Sequence, residues 1–302
     1  DRPVIISTET GGLGNRIKSW VSAMRLNQDS RIHWEVLSNN KYPMAATFSE
    51  LFLNDCQVNV IPPDADIYKS WRLAVLPEDE CFLPEGFSTV GASTHPIIRG
   101  VGKALWMLKG KPSDRYHYMV YPKAHSKRST RADARHIDLE YERIPRQVRS
   151  SYVPFFKQIK VRPEILGRVN AWANENLDDN VIGVQVRTWR DDERRYRKYH
   201  IPARKRLRYL LDKSSMNTRF FIVSDSDDIA PWLSKIYGKN RILEFPRLTQ
   251  RLTSRTSVDG ITEDLIDLLL LAKTQQVFVS YLSTFGEVAW WIGGAKATVS
   301  VF

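Results

Sequence analysis

Apolar positions along the chain follow two rhythms. From Asp179 to the last residue, short apolar runs alternate with longer stretches of helical period. The runs are NVIGVQVR (180–187), RFFIVSDS (219–226), RILEF (241–245), QVFVSY (276–281) and KATVSVF (296–302). Between them lie the helical stretches 201–215, 227–238, 256–275 and 284–294. Short runs without polar alternation are strands buried on both faces, and helices between them build a doubly wound parallel sheet. The beginning of the chain is a sparser version of the same pattern. PVIIS (3–7), RIHWEV (31–36) and QVNVI (57–61) read as strands, and 16–28 reads as a helix with Ile17, Trp20, Val21 and Met24 on one face. Residues 152–177 read as a linker followed by a helix, with Arg162 extended because a proline follows it. Residues 62–150 are irregular.

The expected fold class is therefore α/β, with an N-terminal domain over 1–150 and a Rossmann-like domain over 151–302. Two such halves facing a cleft would bind ligands beyond the carboxyl ends of their strands. The residues that directly follow strands thus become the candidates for chemistry.

Composition narrows the class further. The 302 residues are 42% hydrophobic, with 9 Trp, 12 Tyr and 12 Phe, which suits packed cores and argues against disorder. Cys56 and Cys81 are the two cysteines, too few for a disulfide framework, and no Cys/His cluster has zinc spacing. No Asn-x-Ser/Thr sequon occurs, and no apolar run reaches the length of a membrane span. The chain begins at Asp1 without Met, which leaves room for an anchor or signal already removed. The net charge is +11, and from His95 to Ser150 there are 13 Lys/Arg against 5 Asp/Glu. Basic surfaces attract anionic lipid, nucleic acid or phosphorylated small molecules. Within that region 95–112 has an amphipathic helical pattern, which fits either a surface helix or an anionic membrane contact. No nucleic-acid-binding signature is present, and no aromatic stacking platform interleaves the basic run.

Four strand ends carry polar chemistry. After the first strand, Gly11, Gly12, Gly14 and Asn15 open a helix. Glycines let a ligand approach the backbone, and a helix start offers free N–H groups to an anion. The pattern matches neither GxGxxG nor a Walker A loop, so a tight turn is the competing reading. After the strand holding Gln185 comes Arg187, and then Asp191, Asp192 and Glu193. Arginine at a strand end grips a diphosphate bidentately, or forms a salt bridge with the nearby acids. Asp225 follows the next strand, where Ser226 or Asp227 also reads as a helix cap. Ser283, Thr284 and Phe285 follow the fourth, again at a helix start. Asp267 sits inside an apolar helix and needs a partner.

Together these blocks resemble the GDP-fucose-dependent fucosyltransferase superfamily, which includes nodulation, core, protein O- and plant xyloglucan enzymes. The resemblance rests on GGLGNRIKSWVSAMRLNQDSRIHWEV, GVQVRTW, FFIVSDSDD and DLLLLAKTQQVFVSYLSTFGEVAWW, in that order. It implies a GT-B-like fold. Carried over residue by residue, it implies that Arg187 contacts the donor diphosphate and assists departure of fucose. Asp267 matches a nucleoside-binding Asp, Ser283 and Thr284 match the phosphate-side hydroxyls with Phe285 beside them, and Asp225 matches an acid near the nucleotide. Gly12, Gly14 and Asn15 match a loop that closes on the donor. Gln185 stands where many members have His, as in plant members. Asp192 and Glu193 lie near the position of an acceptor-side acid.

The resemblance thus implies inverting transfer of fucose from GDP-fucose to a saccharide or glycoconjugate hydroxyl. A preorganised arginine and helix N-termini would stabilise the leaving diphosphate, with no metal and no cofactor. The partners expected are the nucleotide sugar, a glycan acceptor and an anionic membrane surface through 95–150, with no nucleic acid. The compartment expected is cytoplasmic, peripheral on a membrane in a bacterium, or the Golgi lumen if an anchor has been removed. Another nucleotide sugar on the same fold, or a basic polyanion-binding protein, are the competing readings.

Overall fold

The computed structural model describes residues 6–7, 12–26, 31–32, 34, 44–55, 146–189, 192–281 and 283–302. The expected strand 57–61, both cysteines, the amphipathic stretch 95–112 with most of the basic region, and Gly11 and Asp191 lie outside them.

The chain divides into two compact units. One comprises 1–10, 15–34 and 56–155, and the other comprises 11–14, 35–55 and 156–302. In the first, β1 (Ile6–Ser7) and β2 (Arg31–Ile32) pair in parallel. Helix α1 (Leu13–Leu26) connects them and buries Ile17, Trp20 and Val21, as its 3.6-residue period requires. It starts three residues earlier than the sequence pattern suggests, at the end of the glycine loop.

The second unit opens with the short helix α2 (Phe48–Leu51), capped by Thr47 and Glu50 in a reciprocal box. Helix α3 (Arg146–Phe156), which belongs to the first unit up to residue 155 and enters the second with Phe156, occupies much of what the sequence presents as a linker, and part of the stretch read as irregular. Pro154 suggests a break there, yet the helix runs through it. Its last residue, Phe156, is buried and stacks on Trp291 with ring centroids 5.7 Å apart and planes 5° from parallel, a contact that the sequence pattern does not reveal. After Arg162, extended as expected (φ −58°, ψ 139°), α4 (Pro163–Asn176) starts with proline at a position needing no N–H donor.

The remaining elements alternate. They are β3 (Val181–Val186), α5 (Glu193–Arg195), α6 (Ile201–Lys213), β4 (Arg219–Ser224), α7 (Ile229–Tyr237), β5 (Ile242–Leu243), α8 (Val258–Leu271), β6 (Gln276–Val279), α9 (Thr284–Ile292) and β7 (Thr298–Val301). The five strands β3 to β7 form one all-parallel sheet in the order β5-β4-β3-β6-β7. Every residue of β3 is buried, the mark of a central strand covered on both faces. Ile182, Val184 and Val186 pack in one cluster with Leu207 and Leu211 of α6 and Leu233 of α7. Gly183 and Gln185 point the other way, toward Leu271 and Gly286. Burying each large aliphatic side chain contributes about 1.5–3 kcal/mol.

This strand order has one functional consequence. From β3 the chain winds outward through β4 to β5, then returns through α8 to start β6 on the opposite side of β3. The winding reverses between β3 and β6, and crevices beyond the carboxyl ends of such strands receive ligands. The residues placed there are those after Val186 and after Val279.

Candidate active site

Arg187 is the first residue beyond β3. Its backbone N–H donates to Ser280 Oγ at 2.9 Å, and Ser280 N–H donates to Gln185 C=O at 3.0 Å. These two bonds tie the ends of β3 and β6 together at the point of reversal. The Arg187 guanidinium donates through Nη1 to Asp225 Oδ2 at 2.5 Å, and Asp225 Oδ1 accepts from Thr188 N–H at 2.7 Å. Asp225 therefore spans side chain and backbone at the end of β3. A charge-assisted pair of this length is among the stronger polar contacts a protein makes. Both side chains are about one-fifth exposed (17% and 21%), so solvent screens the pair only in part.

Across the reversal point, Ser283 is the N-cap of α9. Its hydroxyl accepts from Gly286 N–H at 3.2 Å, which satisfies one of the four open donors of the first turn. Thr284 and Phe285 are half-buried on that turn. Gly286 is there by necessity, because a Cβ would come within 2.8 Å of Val279 Cγ1 and 3.6 Å of Gln185 Oε1. Gln185 is 3% exposed, and its Oε1 has no hydrogen-bond partner among the described residues. A buried amide oxygen without a donor is costly, and here it lies beside the start of α9.

Gly12 and Gly14 group with this unit. A Cβ at Gly14 would lie 3.0 Å from Phe285 Cα and 3.1 Å from its N, so the glycine loop packs backbone to backbone on the first turn of α9. One at Gly12 would lie 3.3 Å from Arg255 Nη2. The sequence reading makes this loop a lid belonging to the N-terminal domain, whereas both glycines sit within the C-terminal unit. Asn15, the next residue but one after Leu13, is half-buried in the first turn of α1.

The candidate acids take other places. Asp192 caps α5, its Oδ1 accepting from Arg195 N–H at 3.1 Å and its Oδ2 lying 3.3 Å from Arg195 Nε. Glu193 is exposed and pairs with Arg197 one turn on, at 2.6 Å. Asp267 is 1% exposed and lies in an ion network between α8 and residues 244–251. Its Oδ2 accepts from Arg247 Nη1 at 2.8 Å and also from Arg251 Nη1, while its Oδ1 has no partner among the described residues. Arg247 Nη2 also meets Asp264 at 2.9 Å, and Arg251 Nε donates to Glu244 at 2.9 Å. Burial pushes the Asp264 carboxyl above its ordinary range despite Arg247 and Ser254. Burial acts the same way on Glu263, but bonds from the Thr249 hydroxyl and from the backbone N–H groups of Leu248 and Thr249, with Arg247, outweigh it and pull that carboxyl down. The partner that the sequence demands for Asp267 is thus a pair of arginines.

After β4, the expected cap differs from the one observed. The N-cap of α7 is Asp228, while Asp227 Oδ1 accepts from Arg251 N–H at 2.9 Å and Ser226 donates to Asp228. The loop carrying Arg251 folds back over the end of β4 and claims the carboxylate that local sequence assigns to the helix.

Sequence reasoning assigns no role to Ser280, read as part of a strand, or to Trp189, the last residue of the GVQVRTW block. Trp189 stands two residues after Arg187 with its ring against the guanidinium, the Arg187 Cζ lying 4.8 Å from the centroid. An aromatic placed so close after a strand-end arginine is the signal that would have found it.

No family model matches this sequence, and no curated sequence does. Solved structures match over almost the whole chain. A NodZ α-1,6-fucosyltransferase soaked with GDP-fucose aligns with 97% of this chain and 93% of its own, at 17% identity and a TM-score of 0.51. The NodZ fucosyltransferase from Bradyrhizobium aligns with 96% of this chain and 93% of its own (17% identity, TM-score 0.49). The apo-form of POFUT1 aligns with 99% of this chain and 97% of its own (12% identity, TM-score 0.49). The first of these alignments is the one on which the fold assignment rests: this chain has the fold of the NodZ α-1,6-fucosyltransferase.

Proposed function

We propose that this protein is a fucosyltransferase that takes fucose from GDP-fucose, on a GT-B-like fold, and inverts the anomeric centre without a metal ion. The observation that carries this reading is the placement of Arg187. It stands at the end of β3, at the point where the sheet reverses, aimed by Asp225 and tied through its own N–H to Ser280 at the end of β6. The motif resemblance supports the reading, and the NodZ neighbour was soaked with GDP-fucose.

In the proposed reaction an acceptor hydroxyl oxygen attacks the anomeric carbon from the face opposite the leaving group. The bond from that carbon to the β-phosphate oxygen breaks, and its electron pair leaves with GDP. Negative charge grows on the diphosphate as the bond breaks. Arg187 places a positive charge at the leaving oxygen. The first turn of α9 adds N–H groups and the hydroxyls of Ser283 and Thr284, with Phe285 alongside. Gly12 and Gly14 bring a second stretch of backbone against that turn, and Gln185 offers a side-chain amide to the donor. Asp225 acts by holding Arg187. Asp267, locked between two arginines, acts on the nucleoside side by fixing Arg247 and Arg251. Glu193 remains the candidate to receive the acceptor proton, whereas Asp192 is committed to the cap of α5. A glycan or glycoconjugate hydroxyl is the acceptor in this reading.

The test is ligand-induced thermal stabilisation with GDP, UDP and CMP, each with and without EDTA. Ligand at one hundredfold above Kd should stabilise the fold by about 2.7 kcal/mol. Stabilisation by GDP that survives EDTA is expected. A shift with UDP and none with GDP would transfer the reading to another nucleotide sugar, and loss of the GDP shift on chelation would end the metal-free claim.

A further inference from the structure

Helices α6 and α7 lie side by side over one face of the sheet. Leu207 and Leu211 of α6 and Ile229, Ala230 and Leu233 of α7 pack in the same cluster as Ile182, Val184 and Phe220 of the strands. Two contacts tie the helices together. Arg204 Cζ lies 4.2 Å from the centroid of the Trp232 ring, and Tyr237 Oη donates to Asp212 Oδ1 at 2.7 Å. The buried positions follow the helical period, so the residues opposite them form one outward surface.

That surface is one-sided in charge. The two helices carry six Lys/Arg and one Asp. The acid, Asp212, accepts the Tyr237 bond. Lys205, Arg206 and Lys235 are exposed and pair with no acid among the described residues. Large apolar side chains stand between these cations: Ile201 is 49%, Tyr209 55% and Ile236 40% exposed. On α6, Ile201, Lys205, Arg208 and Tyr209 are spaced i, i+4, i+7 and i+8, which is one stripe of a helix. Ile236 is one turn beyond Trp232, on the side of α7 that meets α6.

An exposed charged face by itself is what any solvated helix shows. The aliphatic tips point to one kind of partner. Isoleucine gains nothing from a hydrophilic polyanion. At a layer of anionic lipid headgroups, apolar tips enter the acyl boundary while the surrounding cations meet the phosphates. The stems of Lys and Arg then extend the apolar surface beneath their charged heads.

We propose that the outer surface of α6 and α7 docks on an anionic lipid bilayer, with Lys205, Arg206 and Lys235 on the headgroups and Ile201, Tyr209 and Ile236 at the acyl boundary. This goes beyond the transferase reading and does not depend on it. The residues are distinct from the basic stretch 95–150, on which the sequence places a membrane contact.

The test is co-sedimentation of the full chain with vesicles of phosphatidylcholine alone and with about one-third phosphatidylserine, beside binding to heparin as a soluble polyanion. Wild type should bind the anionic vesicles and not the neutral ones, and should dissociate as ionic strength rises from about 0.1 M to about 1 M. Lys205→Glu with Arg206→Glu should weaken vesicle binding at least about thirtyfold, since each cation at such a surface is worth about fivefold. Ile201→Ser with Ile236→Ser should weaken vesicle binding about tenfold and leave heparin binding unchanged. All four substitutions are at exposed positions, so thermal midpoints should match wild type. Wild-type affinity in the charge-reversed protein would place the lipid contact elsewhere and overturn the proposal. So would equal binding to neutral and anionic vesicles, or binding to neither. An aliphatic variant that binds vesicles as wild type does would make the surface a polyanion site, which also overturns it. Vesicle binding is read without turnover, so the lipid contact and the donor reading fail separately.

Discussion

Replacing Asp225 with alanine should slow transfer while leaving the fold in place. The carboxylate makes two charge-assisted contacts, to Arg187 Nη1 at 2.5 Å and to Thr188 N–H at 2.7 Å. Hydrogen bonds to charged groups are worth about 1.5–3 kcal/mol each, and partial exposure of both side chains reduces that. An opposing effect must be subtracted. Asp225 also repels a bound diphosphate, by about 0.5 kcal/mol for unit charges about 8 Å apart in water and about 2 kcal/mol at an effective dielectric constant of about 20. Orientation should win by about 1–2 kcal/mol, a loss of about 5- to 30-fold in kcat/KM for GDP-fucose. Asp225→Asn retains a neutral acceptor and should fall between wild type and Asp225→Ala. The assay is GDP release from GDP-fucose, with the thermal midpoint followed in parallel. An Asp225→Ala enzyme with unchanged or faster turnover would refute the reasoning, because repulsion would then outweigh orientation.

Three further outcomes follow from the same geometry. Gly14→Ala should weaken GDP binding and cost about 1–3 kcal/mol of stability, since the new Cβ meets the Phe285 backbone at 3.0 Å; chemical denaturation showing wild-type stability would contradict the packing. Asp267→Ala should destabilise the protein by about 1.5–3 kcal/mol, because it removes the buried carboxylate that two buried arginines share and leaves them with Glu244, Glu263 and Asp264. A variant of native stability that has merely lost GDP affinity would instead make Asp267 a direct nucleoside contact. The contribution of Glu263 depends on pH in a definite sense. Its folded pKa is depressed below the unfolded value of about 4.3, so its stabilisation is fully present above that pH and is lost as pH falls through the folded value. Glu263→Gln should therefore cost more stability at pH 6 than in acid, the difference shrinking as pH falls below about 4.3, and an effect that does not change with pH would count against the network.

The C-terminal half was legible because each β3-to-β7 strand is a short, mostly apolar run and each connecting helix has its own period. Boundaries moved by a few residues, as at β6, where the run QVFVSY yields a strand ending at Val279 and leaves Ser280 free to bond Arg187. Helix α3 was hidden by Pro154, whose local preference was overridden along a helix that ends on the Phe156–Trp291 stack. The position of Arg187 directly after a strand was legible. Its partners were less so, because Asp225 is 38 residues away and its grip on Arg187 depends on the parallel register of β3 and β4. Asp267 drew attention as a carboxylate in an apolar helix, yet its arginines lie on an irregular stretch whose path no periodicity describes. Trp189 was assigned no role because a left-handed backbone leaves no mark in sequence when the residue is not glycine.

The central claim is that Arg187 drives departure of GDP from fucose. Its most direct test is the rate of GDP release from GDP-fucose in EDTA, with a panel of glycan acceptors, for wild type and Arg187→Ala at matched thermal stability. The account predicts acceptor-dependent release by wild type and a loss of at least about a hundredfold in Arg187→Ala, the size seen when a donor to a developing anion is removed. Equal rates in the two proteins would contradict it.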